Sequence, residues 1–424
     1  MYIKNKKKSA YIATNICLGL LLFFLSIKGH EEYIVENDAG QIIEQFINYS
    51  PIVLLLRSFS LQISTVIFVI LIFLSLRGNK VKQQFLSAPT LYNLALCLFF
   101  IRLIFDSTED VGKVILAIFF NMGFYFFCWH GTKKSKLDVN PVDGIMRGLV
   151  LFFVLFVWTN IIIFLAGQGL VEGGARFFGI TQHPNFLGAI SAHSAVGLLG
   201  YFIFAKPLSK EKLIISLSLI IAVILVYLSG SRTALLMMSF GFLLTLIRWV
   251  KNENNLRISP TNITLIGMLG FLLVTSLPNV LNKLTDTNDI YNRFISGENT
   301  REDAWNILIN TFINNPIVGA GYAAGASESS LLKLSASAGA IPGLLLLISF
   351  YIVAKNSTKI ILHRQASSFG PQCMAILSMV TILGSFFEGY LIQQGGYGPL
   401  LYTMEASCIC TFITFQYKRK NALI

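Results

Sequence analysis

The sequence predicts an all-α, polytopic membrane protein with about twelve transmembrane helices, and three observations support this fold class. Hydrophobic residues make up 54% of the 424 positions and charged residues only 13%, whereas soluble domains carry roughly 25% charged residues. Apolar runs of roughly 17–25 residues, the length that crosses a bilayer, recur along the chain. Lys and Arg residues concentrate in alternate loops, as they do in the cytoplasmic loops of membrane proteins.

The apolar runs place each predicted span. We expect helices near residues 10–27, 52–76, 88–105, 113–130, 146–166, 184–204, 213–229, 233–250, 261–278, 336–354, 371–388 and 399–416. An even number of spans puts both termini on one side of the membrane. More than two thirds of the 33 Lys and Arg residues fall on that side, so both termini are expected in the cytoplasm. No basic block with interleaved aromatic residues suggests a nucleic-acid partner.

The chain is expected to form one integral-membrane domain, residues 1–424, with one long outer loop at 279–335. In that loop Thr300 and Asp303 resemble a capping box. Apolar residues then recur at helical spacing before Asn315-Pro316, where a helix should end. They are Trp305, Leu308, Ile309 and Phe312. We therefore expect an amphipathic helix that either lies on the membrane surface or covers a cavity between the spans.

Three arginines in short motifs map to the same outer face. They are Arg176 in RFFGITQHPNFLG, Arg232 in SGSRTAL and Arg301 in TREDAW. A guanidinium is costly near hydrocarbon unless an anion, a partner or water meets it, and its planar fork matches phosphate oxygens. Each arginine lies beside glycines or a predicted helix start, where backbone amides also favour anions. Together the three fit a diphosphate clamp, although each alone is as readily a snorkelling or helix-pairing residue.

Other polar residues in the sequence have more ordinary interpretations. The segment GAGYAAGASESS, residues 319–330, lets backbone approach a bulky ligand or forms a flexible loop. His183 fits a helix start, and His193, inside a predicted span, fits a buried hydrogen-bonding role. Glu405 lies inside the last span, where we expect a structural pairing. The outer loops hold no cysteine and the histidines show no metal-ligand spacing, so no metal site is expected.

At the arginine motifs the sequence resembles the O-antigen ligase and polymerase superfamily, the integral-membrane enzymes of bacterial surface-polysaccharide assembly. The matching segments are RFFGITQHPNFLG (176–188), LSGSRTALLMM (228–238) and TREDAWNILINTFINNPIVGAGYAAG (300–325), followed by a weaker ESSLLKLSASAGAIPGL (328–344). They occur in the family's order. Together they are quite specific, whereas any one of them alone is weak.

The resemblance implies a GT-C-like fold in the bacterial inner membrane, with both termini cytoplasmic and the active site facing the periplasm. It implies no metal or cofactor, and a donor glycan carried on the membrane lipid undecaprenyl diphosphate. Arg176 and Arg301 would be the catalytic arginines that hold the diphosphate. A chain-length regulator is a further candidate partner. The candidate substrate-binding residues are Arg232, Arg293, His183 and Glu388.

One position departs from the family pattern. Where the family commonly begins its last motif with histidine followed by asparagine, this sequence has Glu328 and Ser329. The family histidine is the candidate that activates the acceptor hydroxyl, and a glutamate within hydrogen-bond reach can abstract the same proton. The alternative is that Glu328 is only a loop carboxylate and that another residue, for instance Glu388, is the base.

The expected reaction is metal-independent, inverting glycosyl transfer in the periplasm. Arg176 and Arg301 would stabilise charge on the departing diphosphate while Glu328 deprotonates the acceptor hydroxyl. A polymerase extends another lipid-linked repeat unit, and a ligase transfers the finished chain to lipid A-core; the change from histidine to glutamate favours the polymerase. A transporter of lipid-linked glycans is an alternative from another class. It should line a cavity open to both sides with charges, whereas the motif arginines lie at one face.

Overall fold

The computed structural model describes most of the chain as α-helix. The described residues are 2–27, 32–36, 42–47, 49–76, 87–106, 111–131, 141–170, 176–181, 183–252, 301–324, 329–362, 368–392 and 396–421. In chain order the helices are α1 (Tyr2–Ser26), α2 (Pro51–Leu76), α3 (Ala88–Ile104), α4 (Val111–Gly131), α5 (Pro141–Leu165), α6 (Pro184–Ala205), α7 (Ser209–Leu228), α8 (Arg232–Asn252), α9 (Glu302–Asn314), α10 (Ser330–Ala338), α11 (Ala340–Leu362), α12 (Phe369–Ser385) and α13 (Tyr397–Asn421). Short 3₁₀ turns cover Gly321–Ala324 and Gly389–Ile392.

A small β-hairpin adds to the helical architecture. Strands β1 (Glu32–Glu36) and β2 (Ile42–Phe46) pair antiparallel, with Glu32 opposite Phe46 and Glu36 opposite Ile42. Their sequences, EYIVE and IIEQF, are rich in the β-branched and aromatic residues that favour strands. The sequence predicted no strand, so the all-α expectation holds for the described residues apart from the hairpin.

The helices support a polytopic membrane protein. Eleven of the twelve predicted span positions coincide with described helices, and the position 261–278 lies outside the described residues. The helices long and apolar enough to cross a bilayer include Pro51–Leu74, Val142–Leu165, Pro184–Ala205, Ser209–Leu228, Arg232–Lys251 and Ala340–Leu362. The count of twelve stays a prediction. The span expected at 336–354 is instead two helices, α10 and α11, which are separated at Gly339.

The chain forms two compact units. The first comprises Met1–Leu22, Thr65–Leu149 and Asn299–Ile424, and the second comprises Phe23–Ser64 and Val150–Glu298. In the first unit α11 packs against α3 and α12, and α13 packs against α3, α4 and α12. In the second unit α6 packs against α7 and α8. The single domain expected at 1–424 stays a prediction.

Several polar side chains inside the first unit are paired with one another or with backbone. The Tyr92 hydroxyl donates to the Leu391 carbonyl at 2.6 Å, and the Ser349 hydroxyl donates to the Ala88 carbonyl at 2.9 Å. The Tyr92 and Tyr402 rings meet edge to face with centroids 4.7 Å apart. Such pairing is needed because hydrocarbon offers no water to replace a lost hydrogen bond. It fixes α3, α11 and α13 relative to one another.

Helix α6 is the buried centre of the second unit. It is rich in small residues, which allow helix backbones to approach closely in a membrane. A Cβ added to Gly188 would lie 2.6 Å from the Ser229 hydroxyl and 2.9 Å from the Ala234 side chain. At Gly197 an added Cβ would collide with the Phe153 ring. Close packing of α6 therefore fixes the position of its first turn, which carries Asn185.

A backbone seam joins the segment after α9 to α10 and α11 in the first unit. The Ala320 amide donates to the Ala336 carbonyl at 2.8 Å, and the Ala340 amide donates to the Pro316 carbonyl at 2.8 Å. These bonds satisfy backbone groups that a loop near hydrocarbon would otherwise leave unpaired. The segment is therefore a fixed part of the unit and not a free loop.

The glycines in this seam are required by the approach of the two backbones. Gly319 has φ +73°, and a Cβ added there would collide with the backbone between Ser337 and Ala338. Gly339 has φ +88°, and a Cβ there would collide with the Ile317 carbonyl. The sequence suggested that the glycines of this segment let the backbone approach a ligand or make the loop flexible. At these two glycines the structure instead shows the chain packing on itself.

Substituting Gly319 should destabilise the protein more than substituting a glycine with similar φ in open space. Gly167 has φ +69°, and among the described residues no atom outside its chain neighbours comes within 4 Å of its added Cβ, so Gly167→Ala should cost about 1–2 kcal/mol of backbone strain alone. Gly319→Ala adds a backbone collision, so it should lower the thermal unfolding temperature of the purified protein clearly further. Equal losses for the two variants would show that the seam contributes nothing.

Candidate functional site

In the second unit, the segment that carries Arg176 is fixed between the ends of two helices. The Phe177 amide donates to the Leu228 carbonyl at the end of α7, at 3.1 Å. The Phe178 amide donates to the Gly169 carbonyl, just after α5, at 2.9 Å. The Phe177 ring meets the Phe164 ring of α5 edge to face, with centroids 5.3 Å apart. These contacts hold the backbone at Arg176 in one place.

The Arg176 guanidinium is oriented by two neutral acceptors. Its Nε donates to the Ser229 carbonyl at 2.9 Å, and one Nη donates to the Asn185 side-chain oxygen at 2.5 Å. Gly230, at φ +60°, lies against the same side chain, and a Cβ added there would be 3.5 Å from Nε. Because both acceptors are uncharged, these two bonds position the guanidinium without neutralising it. The arginine is half-buried.

Two helix starts converge beside Arg176. His183 is the N-cap of α6, and its Nδ1 accepts a hydrogen bond from the Asn185 amide at 3.1 Å. Ser231 precedes α8, and its hydroxyl accepts from the Ala234 amide at 3.3 Å. Arg232 is the first residue of α8. The N-terminal ends of helices carry partial positive charge and favour anions, so the two starts add to the positive potential of Arg176.

In the first unit, Arg301 forms an ion pair with Glu388. The Arg301 Nη lies 2.5 Å from Glu388 Oε1, and the two side chains are 19% and 8% exposed. Arg301 is also the N-cap residue of α9, and Thr300, the expected cap, lies outside the described residues. Glu302 and Asp303 follow Arg301 directly in the sequence, but both are exposed. Arg301 nevertheless has an acidic partner 87 residues further along the chain.

The backbone at Glu388 is held by hydrogen bonds. The Ser330 hydroxyl of α10 donates to the Glu388 carbonyl at 2.7 Å and accepts from the Leu391 amide at 3.2 Å. Next to Glu388, the Phe387 ring meets the Trp305 ring of α9, with centroids 6.0 Å apart. Two residues on, burial raises the pKa of the Tyr390 phenol, and the neutral hydroxyl donates to the Thr381 carbonyl at 2.6 Å. The Glu388 carboxylate is therefore a rigid partner for Arg301.

The structure places the predicted site residues in two separate groups. Arg176, His183 and Arg232 lie in the second unit, and Arg301 and Glu388 lie in the first. Glu328 and Arg293 lie outside the described residues. His193 is buried inside α6 and its Nδ1 contacts the Ala189 carbonyl at 2.8 Å, which agrees with a structural role. Glu405 is fully buried, and no side-chain ion pair to it is present among the described residues.

Sequence reasoning missed several residues that build these groups. Asn185 and Ser229 hold Arg176, and Ser330 holds the Glu388 segment. The sequence signals were present for the first two, since Asn185 follows His183-Pro184 and Ser229 lies in the SGSR motif. Arg102, in the last turn of α3, is a further missed cation, and one Nη lies 3.5 Å from the Gly319 carbonyl.

Comparison with known proteins links the second and third motifs to a family. Residues 217–339 match the model of a protein family described as O-antigen ligase. This confirms the resemblance to the O-antigen ligase and polymerase superfamily. The match covers less than a third of the chain and supports a role in polysaccharide assembly at a membrane. No curated protein matches the chain significantly.

The matched O-antigen ligase segment includes some site residues and excludes others. Arg232, Arg293, Arg301 and Glu328 fall inside it, and it ends at Gly339, the seam glycine. Arg176, His183 and Glu388 fall outside it. Their candidate roles are supported by their local contacts and not by the family match.

Removing the charge of Glu388 should destabilise the first unit. Glu388→Gln leaves the partly buried guanidinium of Arg301 without this carboxylate, which should cost on the order of 1–3 kcal/mol. Glu302→Gln is the matched control, because Glu302 is next to Arg301 in sequence but exposed, and it should cost less than about 0.5 kcal/mol. Thermal unfolding of the purified variants measures both effects. A loss for Glu302→Gln as large as that for Glu388→Gln would contradict this account.

Proposed function

We propose that this protein is a glycosyltransferase of surface-polysaccharide assembly. It transfers a glycan from undecaprenyl diphosphate to a hydroxyl of a lipid-linked acceptor, as a polymerase does. The reaction takes place at the periplasmic face of the bacterial inner membrane, with both termini in the cytoplasm. The family match between residues 217 and 339 supports the general role. The donor is the one that the family resemblance implies, the arginines fit its diphosphate, and the charge bias of the loops supports the direction of the site.

The setting of Arg176 carries this proposal. Its guanidinium is oriented by the Ser229 carbonyl and the Asn185 side chain, beside two helix starts. A guanidinium whose direction is fixed by two acceptors is suited to an anion that arrives as substrate, because it need not reorganise when the anion binds. The planar fork matches phosphate oxygens. A diphosphate linked to a lipid is the anion that a membrane enzyme of this family would meet at this position.

Arg301 supplies a second cation with a different environment. Glu388 accepts from one Nη of Arg301, whereas a guanidinium has five N–H donors in total. We assign Arg301 to stabilising the charge that develops on the leaving diphosphate. Glu388 orients Arg301 in this assignment and is not the base, since its carboxylate is buried against the guanidinium.

Glu328 is the residue we assign as general base. In the transfer, the acceptor oxygen bonds to the anomeric carbon as the bond from that carbon to the diphosphate oxygen breaks. The hydroxyl proton passes to the Glu328 carboxylate, and the electron pair of the broken bond stays on the undecaprenyl diphosphate. A single displacement inverts the anomeric configuration. Arg176 and Arg301 lower the barrier by holding the negative charge that grows on the leaving group.

The acceptor separates a polymerase from a ligase. A polymerase uses a lipid-linked repeat unit, and a ligase, the activity for which the matched family is described, uses lipid A-core. We favour the polymerase because Glu328 stands where the family pattern has histidine. Both activities use the same donor, so the arginine assignments hold for either acceptor.

Deleting the gene should cause single undecaprenyl-linked repeat units to accumulate, which mass spectrometry of extracted lipids can measure. Finished polymers would instead identify a ligase, and accumulation confined to the cytoplasmic leaflet would identify a transporter and overturn the catalytic assignment.

Arg176→Ala, returned to the deletion strain, should lower transfer about 10²–10³-fold. Asn185→Ala removes one orienting acceptor but keeps the charge, so its loss should be smaller.

Replacing Glu328 tests the base directly. Glu328→Gln should lower the transfer rate of the purified protein about 10²-fold with little change in donor binding, and it should remove the acid limb of the pH–rate profile. Glu328→Asp should keep part of the rate. Unchanged product formation in Glu328→Gln would remove this residue from the mechanism. Glu388→Gln is the comparison, because a variant that disturbs Arg301 should lower the transfer rate and keep the acid limb.

A further inference from the structure

Helix α9 and the turn after it expose a stripe of apolar side chains. Ile309, Ile313 and Ile317 recur every four residues, and Ile313 and Ile317 are 63% and 78% exposed. Val318, next to Ile317, is also exposed. The sequence predicted that Ile309 belongs to the same apolar face of this helix as Leu308. In the structure Leu308 is buried against Ala324 and Ala336, whereas Ile309 is exposed. The isoleucine stripe is thus separate from the face that packs on α10.

The neighbouring face of the same helix is polar. Asn310 and Asn314 are exposed, and each follows a stripe isoleucine by one residue, which is 100° around the helix. No charged residue occurs between positions 304 and 327. Ile307 is exposed at 51% but lies beyond the asparagines, away from the stripe. The helix therefore presents a polar, uncharged surface alongside a continuous apolar one.

The stripe continues onto the exposed face of α11, a candidate membrane span. The Ala340 amide bonds to the Pro316 carbonyl at 2.8 Å, which brings the turn with Ile317 to the first residue of α11. Between Ile341, which is 62% exposed, and Tyr351 the exposed residues of α11 are apolar, and its exposed lysines, Lys355 and Lys359, lie nearer its other end. The apolar ones are Ile341, Leu344, Leu347, Ile348 and Tyr351. A span of this composition exposes such residues to lipid.

We propose that α9 and its turn are seated in the outer leaflet of the bilayer, with Ile309, Ile313 and Ile317 against lipid chains and Asn310 and Asn314 toward water. The continuity with α11 selects lipid as the occupant, because the same apolar surface runs from a membrane span onto the turn. An amphipathic helix with one polar and one apolar face takes up this position at the boundary between headgroups and acyl chains.

This seating has a consequence for the reaction, which rests on the proposed function. Arg301 is the N-cap of α9, so a helix held at the interface holds this guanidinium near the depth of the lipid headgroups. The diphosphate of a polyprenyl-linked donor lies at that depth because its chain is in the hydrocarbon. The helix would thus set the height at which the donor is met.

Nitroxide accessibility in lipid nanodiscs tests the seating. Single cysteines at Ile313, Ile317, Ile307 and Asn310 would be spin-labelled in a full-length chain whose six native cysteines are replaced. Labels at Ile313 and Ile317 should be several-fold more accessible to oxygen than to a water-soluble nickel chelate. Labels at Ile307 and Asn310 should show the reverse. Ile307 is the matched control, since it is apolar and exposed to a similar degree but lies off the stripe.

Two results would overturn the proposal. If all four labels meet the nickel chelate equally, the helix lies in water. If the labels at Ile313 and Ile317 are immobile and shielded from both reagents, protein covers the stripe, as in a lid or a second copy of the chain. Neither result depends on activity. If the labels show that the helix is not in the bilayer but transfer still depends on Arg176, the proposed function stands without the seating. If the helix is in the bilayer but Arg176→Ala transfers normally, the seating stands without the proposed function.

Discussion

The need to satisfy every backbone polar group within hydrocarbon controls this structure. It makes helices the rule and confines irregular backbone to helix ends and to segments that pair with one another. The arginines follow this constraint, because Arg176 precedes α6, Arg232 opens α8 and Arg301 caps α9. Side chains of His183 and Ser231 close the starts of α6 and α8. Functional groups in such a protein are therefore concentrated where helices begin.

The two best-defined arginines illustrate different solutions to the cost of a cation near lipid. Arg176 donates to the Ser229 carbonyl and the Asn185 side chain, so two uncharged acceptors fix the direction of its guanidinium. Arg301 meets the Glu388 carboxylate, which compensates the charge before any ligand arrives. An anion that engages Arg301 must compete with, or share donors with, that carboxylate. Arg176 is thus better suited to initial capture and Arg301 to a charge that grows during reaction.

The helices could be predicted from the sequence because apolar length and the charge bias of loops are local signals. The helix at 302–314 was predicted in the same way, from spacing and from the Asn315-Pro316 stop. Three other features were not predicted, namely the outward direction of Ile309, the seam at Gly319 and Gly339, and the division of 330–362 at Gly339. Each depends on backbone contacts between separate segments, and a hydrophobic pattern does not report which segments meet.

The candidate site, like the helices, could be predicted from the sequence only in part. Motif arginines beside helix starts are visible in the sequence, and the structure places three of the predicted residues, Arg176, His183 and Arg232, at converging helix starts of one unit. The pairing of Arg301 with Glu388 joins residues 87 positions apart, which no local rule identifies. Both residues were candidates, but their relation to each other was not foreseen.

Two residues before α10, Glu328 and Ser329, differ from the family pattern, and the first change is chemical whereas the second is structural. Ser329 is the N-cap of α10, and its hydroxyl accepts from the Leu332 amide at 3.4 Å. Asparagine, the residue that the pattern has there, is an equally good N-cap, so this replacement keeps the helix start. Ser330 next to it holds the Glu388 carbonyl, which ties that start to the ion pair of Arg301. The replacement of asparagine by serine therefore preserves the scaffold, and the chemical change is confined to a carboxylate at Glu328 in place of an imidazole.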